Sequence, residues 1–159
     1  MTGPQPESAW DYPRPPAVVP SDERVRVVHA GAVVADSTRA LRLLETAHAP
    51  AYYVPLADVR RDLLRPSRTR TRCEFKGTAH YVDLLVPGAP AVSDAGWWYP
   101  DPTAGYRELA DTICFYPQRV DRCEVAGEAV TPLPSAFYGD WPTSRVAPPY
   151  KGAPGTEWW

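Results

Sequence analysis

The chain has 159 residues, 44% hydrophobic and 23% charged, the proportions of an ordinary globular protein. Its formal charge of −2 gives no global attraction to nucleic acid or to an anionic membrane. No run of about 18 apolar residues is present to span a bilayer, and no basic region followed by an apolar run opens the sequence, so a cytoplasmic location is expected.

The cysteines are Cys73, Cys114 and Cys123. An odd count without a C-x-x-C pair argues against a disulfide framework and a four-cysteine zinc site. His29, His48 and His80 are scattered without ligand spacing, so no metal is expected. No phosphate loop, nucleophile elbow or dinucleotide fingerprint is present, and no cofactor is expected. Arginine outnumbers lysine 15 to 2, a bias that a high-GC genome explains without function.

Of 20 prolines, six lie in residues 1–22 and six in 131–159. Proline removes a backbone donor and is excluded from central strands. The pattern predicts a Pro-rich N-terminal arm over 1–22, a folded body over 23–130 and an aromatic, Pro-rich strap over 131–159.

In chain order, the first arm reads as irregular, with Trp10 and Tyr12 available to pin it. Residues 25–29 and 32–36 form a β-hairpin turning at Gly31. Residues 40–45 give a third strand, and 52–54 a short one ending at Pro55. Leu56, Val59, Leu63 and Leu64 have helical spacing between Pro55 and Pro66, which predicts a helix of about two turns. Strands follow over 69–73, 80–86 and 92–99, the last stopped by Pro100 and Pro102. Residues 106–111 read as a short helix. Residues 112–116 and 120–125 read as a closing hairpin turning at Pro117-Gln118. Many short strands with close turn signals predict a mainly β domain, a small barrel or two-sheet sandwich, with one or two short helices and extended Pro-rich terminal arms.

The stretch Thr71 to Leu84 concentrates chemistry: Cys73, Lys76 and His80 lie beside residues that want burial. Alternation along the strand puts His80, Val82, Leu84 and Val86 on a core face. It puts Ala79, Tyr81 and Asp83 on the other, which reads as a pocket wall. Trp97 and Tyr99 point one way and Trp98 the other, so one face carries a buried aromatic wall. Lys76, beside Gly77, is placed to hold an anion such as a carboxylate or phosphate. Cys73 is a weaker candidate, a nucleophile that Arg72 and Lys76 would favour as thiolate. Arg60, Arg61, Arg65, Arg68, Arg70, Arg72 and Lys76 form a basic stripe, but Asp58, Asp62 and Glu74 interleave, so nucleic acid is not expected as a partner. The strap, with Phe137, Tyr138, Trp141, Tyr150, Trp158 and Trp159, is too apolar for free disorder. It is expected to pack on the body as a pocket lid, or on a second subunit to make a homodimer.

Several separated motifs carry a resemblance. They are Tyr53-Val54-Pro55 with Asp58-Val59-Arg60, Cys73-Glu74-Phe75-Lys76-Gly77-Thr78-Ala79 with Tyr81, and Trp97 with Tyr99-Pro100-Asp101-Pro102. Phe115-Tyr116 with Arg119-Val120-Asp121, Phe137-Tyr138-Gly139 with Trp141, and Lys151-Gly152 with Pro154-Gly155-Thr156 complete the set. The chain resembles the bacterial domain-of-unknown-function family 427 in its longer, actinobacterial form. Phe75 stands where the family usually has Trp, and Gly96 where Ala is common. The resemblance implies a compact β-tent-like fold with no settled activity. The paired cysteines that hold zinc in fold relatives are missing. A nucleotidyltransferase label sometimes given to the family meets no G-S motif with paired aspartates here.

These readings predict a small-molecule-binding β domain. Tyr53, Tyr81, Trp97 and Tyr99 would wall the pocket, and Lys76 with Arg72 or Asp101 would supply its polar contacts. If it is an enzyme, acid–base or lyase-type chemistry on a small carboxylate or heterocycle is expected, with Lys76 and Cys73 as the reactive groups. The alternative is a non-catalytic interaction or assembly module using the C-terminal strap.

Overall fold

The computed structural model describes residues 6–154 and residue 156. Thirteen strands are present among them: β1 (Glu7–Ser8), β2 (Ala17–Pro20), β3 (Val25–His29), β4 (Ala32–Ser37), β5 (Leu41–Leu44), β6 (Ala51–Pro55), β7 (Leu64–Cys73), β8 (Gly77–Leu84), β9 (Val92–Trp98), β10 (Thr112–Phe115), β11 (Arg122–Val125), β12 (Glu128–Ala129) and β13 (Val146–Ala147). A seven-stranded sheet runs β2-β5-β6-β10-β9-β8-β7, and a four-stranded sheet runs β12-β11-β3-β4. The protein is therefore mainly β, and of the two expected forms it takes the two-sheet one, not the closed barrel.

One hydrophobic core joins the sheets. Val25, Val27, Val34 and Val125 from the smaller sheet share it with Tyr52, Val54, Leu84, Ile113 and Phe115 from the larger. The edges of the larger sheet are protected in two ways. Edge strand β2 ends at Pro20, where a missing backbone donor does no harm. Edge strand β7 carries Arg65, Arg68, Arg70 and Arg72, charges that discourage pairing with another chain. The basic stripe thus has a structural role. Arg60 is paired with Asp62 and Arg65 with Asp83.

The predicted hairpin of β3 and β4 forms, with Val25 opposite Ser37 and His29 opposite Ala32. Two local expectations are corrected. Residues 56–64 do not form a continuous helix: two single 3₁₀ turns, Leu56–Asp58 and Arg61–Leu63, flank Val59. Val59 bridges to Ala35, and the Arg60 N–H donates to the Val34 carbonyl, so long-range bonds replace the helical ones. The short helix expected near 106–111 is present, as a 3₁₀ segment over Ala104–Leu109. β10 and β11 do not pair. β10 lies between β6 and β9, while β11 crosses to the other sheet and pairs with β3.

The first arm is also more ordered than expected. β2 pairs with β5, and β1 pairs in parallel with β13 from the C-terminal strap. The strap packs on the body: Trp141 is fully buried and its indole N–H donates to the Phe115 carbonyl at 2.9 Å. Trp158 and Trp159, with residues 1–5, lie outside the described residues. Among the described residues, no helix is long and apolar enough to cross a membrane.

A cavity of opposite charges under the strap

Strand alternation builds the candidate site. Leu43, Ala51, Tyr53, Thr71, Cys73, Tyr81, Trp97 and Tyr99 all line one cavity of about 360 Å³ on the larger sheet. On each strand these are odd-numbered positions, one face of the pleat. The register carries the wall sideways, because Trp97 is opposite both Tyr81 on β8 and Cys114 on β10. Even-numbered His80, Val82 and Trp98 line a second, smaller recess of about 240 Å³ on the opposite face.

The aromatic wall is cross-braced. The Trp97 indole N–H donates to the Tyr53 hydroxyl at 3.1 Å, and their rings meet edge-on at 6.1 Å. Tyr81 and Tyr116 hydroxyls are 3.4 Å apart, and Thr71 Oγ1 is 3.0 Å from the Tyr81 hydroxyl. Burial pushes the Tyr53, Tyr99 and Tyr116 phenols well up, with Tyr99 adding to the effect at Tyr53, so these groups stay neutral.

The turn between β7 and β8 delivers Lys76. Gly77 has φ +110°, and a Cβ there would sit 3.3 Å from the Asp101 carbonyl. The Thr103 N–H donates to the Lys76 carbonyl at 3.1 Å, which fixes the turn. The Lys76 residue is 9% exposed, and its Nζ lies 5.7 Å from the centre of the Tyr99 ring. Among the described residues, no side chain or carbonyl hydrogen-bonds to this ammonium and no carboxylate pairs with it.

The roof comes from the strap and from the loop between β5 and β6. Phe137, Tyr138, Gly139 and Asp140 close one side. Gln118 clamps this segment through the Ser135 and Tyr138 carbonyls, and Arg119 through the Ala136 carbonyl. His48 projects from the β5–β6 loop, with its Nδ1 3.2 Å from Asp140 Oδ2 and its Nε2 4.0 Å from Glu45 Oε2. Both chain ends hold that loop: the Ala47 N–H donates to the Ala9 carbonyl, and the Lys151 N–H to the Ala47 carbonyl.

The structure brings together Tyr53, Arg72, Cys73, Lys76, Tyr81, Trp97 and Tyr99. Asp101 is not among them. It is exposed on a separate recess of about 480 Å³ with Gly77, Thr78 and Thr103, because its backbone, not its side chain, packs on the turn. The Cys73 thiol has no hydrogen-bonded base among the described residues. Glu45, His48 and Asp140 were not legible as site residues. Among the described residues, no group of three His, Cys, Asp or Glu side chains is arranged to hold a metal ion.

A profile described as a domain of unknown function (DUF427) matches residues 17–126, more than half of the chain. No curated protein matches the chain. The matched segment runs from β2 through β11 and includes the Cys73–Tyr81 turn and the Trp97–Tyr99 wall, so the chain belongs to the DUF427 family.

Proposed function

We propose that this protein binds a small planar molecule carrying a carboxylate or comparable anionic group in the aromatic cavity beneath the strap. The observation that carries this reading is Lys76, a residue 9% exposed that lines a ligand-sized space, whose ammonium has no hydrogen-bond or ion-pair partner among the described residues. A bound anion would give that ammonium a charge-assisted partner in a partly enclosed site. Tyr53, Tyr81, Trp97 and Tyr99 supply flat apolar surface for the ring.

A catalytic form of the reading is acid–base or lyase-type chemistry on the same molecule. His48 favours it: when its Nδ1–H donates to Asp140, Nε2 keeps its lone pair for proton transfer. The buried Trp141 weighs against the strap as a separate interaction module.

The test is a thermal-shift screen of small carboxylates, nucleotides and heterocycles against wild type and Lys76→Met. Binding to the native state raises the melting temperature as ligand concentration passes Kd. A compound that stabilises wild type and not Lys76→Met is expected. Equal response of the two proteins to every compound would overturn the reading.

A further inference from the structure

We infer that the ligand is amphoteric: it carries a cationic nitrogen as well as the anionic group, the anion meeting Lys76 and the cation meeting Glu45 and Asp140. This rests on the cavity being the ligand site, as proposed above.

The cavity wall holds both signs of charge, unneutralised by each other. Lys76 and Arg72 line it, and so do Glu45 and Asp140. No ion pair within 4.0 Å joins either cation to either carboxylate among the described residues. Among the described residues, the Asp140 carboxylate pairs with the His48 ring alone, at 3.2 Å. The Glu45 carboxylate accepts no hydrogen bond there and lies 4.0 Å from His48. These side chains are partly enclosed: exposure is 21% for Glu45 and 16% for Asp140. Lys76 is more enclosed still, 9% exposed as a residue, and its ammonium has no ion-pair partner among the described residues.

Charge matching then selects the ligand class. A purely anionic molecule satisfies Lys76 but adds a third negative charge to a cavity already holding two carboxylates. A purely cationic molecule satisfies the carboxylates and leaves the Lys76 ammonium without an ion-pair partner. A molecule with both groups meets each partner and leaves the sum of charge unchanged.

The rings near the carboxylates agree with this. Tyr138 stands edge-on to His48 at 5.4 Å and touches Phe137 at 5.1 Å, which puts aromatic surface beside the acidic groups. Such surface attracts a cationic or quaternary nitrogen. Trp97 adds a ring 4.6 Å from Tyr116. Tyr116 already has Arg119 over it at 3.8 Å, so Tyr138 is the ring beside the carboxylates that a cationic nitrogen would meet.

Calorimetric titration with two matched series tests the inference. The first is L-tryptophan, indole-3-acetate and tryptamine. The second is glycine betaine, its neutral-headed isostere 3,3-dimethylbutyrate, and tetramethylammonium. In at least one series the amphoteric member should bind about tenfold or more tighter than either singly charged member. Glu45→Gln and Asp140→Asn should each shrink that advantage, with Glu45→Gln serving as the variant that leaves the His48–Asp140 hydrogen bond in place. Lys76→Met should weaken the amphoteric and anionic members alike. If the anionic member binds as tightly as the amphoteric one in both series, and does so through Lys76, the inference fails while the anion site stands. If no probe binds, the inference and the site both fail.

Discussion

Gly139 lies against the face of Trp97 so closely that a Cβ on it would sit 2.5 Å from Trp97 Cη2 and 2.9 Å from Tyr116 Cδ1. The strap therefore seats on the aromatic wall only because this position has no side chain. Gly139→Ala should lift the strap from Trp97. Overpacking of this kind costs about 1–3 kcal/mol. The urea midpoint should fall accordingly and any Lys76-dependent ligand should bind more weakly. Unchanged stability and unchanged binding would show that the strap does not rest on this contact.

Tyr53→Phe tests the brace beneath it. The substitution removes the acceptor of the Trp97 indole N–H at a site where Tyr53 is 1% exposed. An unsatisfied buried donor costs about 1–3 kcal/mol. Equilibrium denaturation should show that loss with little change in the slope of the transition. Tyr12→Phe, which removes a hydroxyl that donates to Glu7, is a comparison outside the cavity lining.

The Lys76 turn should be intolerant for a different reason. Gly77→Ala places a side chain at φ +110° and 3.3 Å from the Asp101 carbonyl. Strain of this kind costs about 1–3 kcal/mol. The expected result is a lower melting temperature together with weaker ligand binding, because the same turn positions Lys76. Lys76→Met should lose binding with much less loss of stability. If Gly77→Ala melts with wild type, the turn is looser than its geometry states.

Acid should loosen the paired arms. The Arg42 guanidinium beside Glu7 holds its carboxyl below the usual carboxylate range, helped by the Tyr12 hydroxyl. A carboxyl depressed in the fold contributes stability above its unfolded value, about 4.3. That contribution is lost as pH falls from there through the lower folded value. Melting temperature followed downward from pH 6 should therefore drop more steeply for wild type than for Glu7→Gln. Parallel curves would remove this pair from the account of acid sensitivity.

Removing residues 131–159 takes away Trp141 and the cavity's roof. Trp141→Ala alone deletes a fully buried indole, a loss of about 3–5 kcal/mol for such residues. The truncated chain is expected to be unstable or insoluble, and Trp141→Ala to fold with a lowered midpoint. A stable, soluble truncation would instead favour the strap as a detachable contact surface.

The wall was legible because it obeys a local rule. Tyr53, Tyr81, Trp97 and Tyr99 are aromatic residues at alternating positions of short strands, and alternation alone sets which way they face. Lys76 was legible from its glycine neighbour. Glu45, His48 and Asp140 were not, since His48 and Asp140 are 92 positions apart and meet only because the strap returns across the sheet. The supposed closing hairpin failed for a related reason: the turn at Pro117 carries the chain from one sheet to the other, and sequence spacing does not record which strand a segment will pair with. The helix expected over 56–64 failed because β4 offers Val59 and Arg60 partners that helical periodicity ignores.

The loop bearing His48 is tied to Ala9 on one side and Lys151 on the other, and the two arms are themselves paired through β1 and β13. The loop at the cavity's rim is thus fastened by two segments far apart in the sequence. A protease nick in either segment, or a bulky fusion crowding it, reaches His48 through one hydrogen bond. Substitutions at Ala9 or Lys151 therefore belong among the controls of any ligand search.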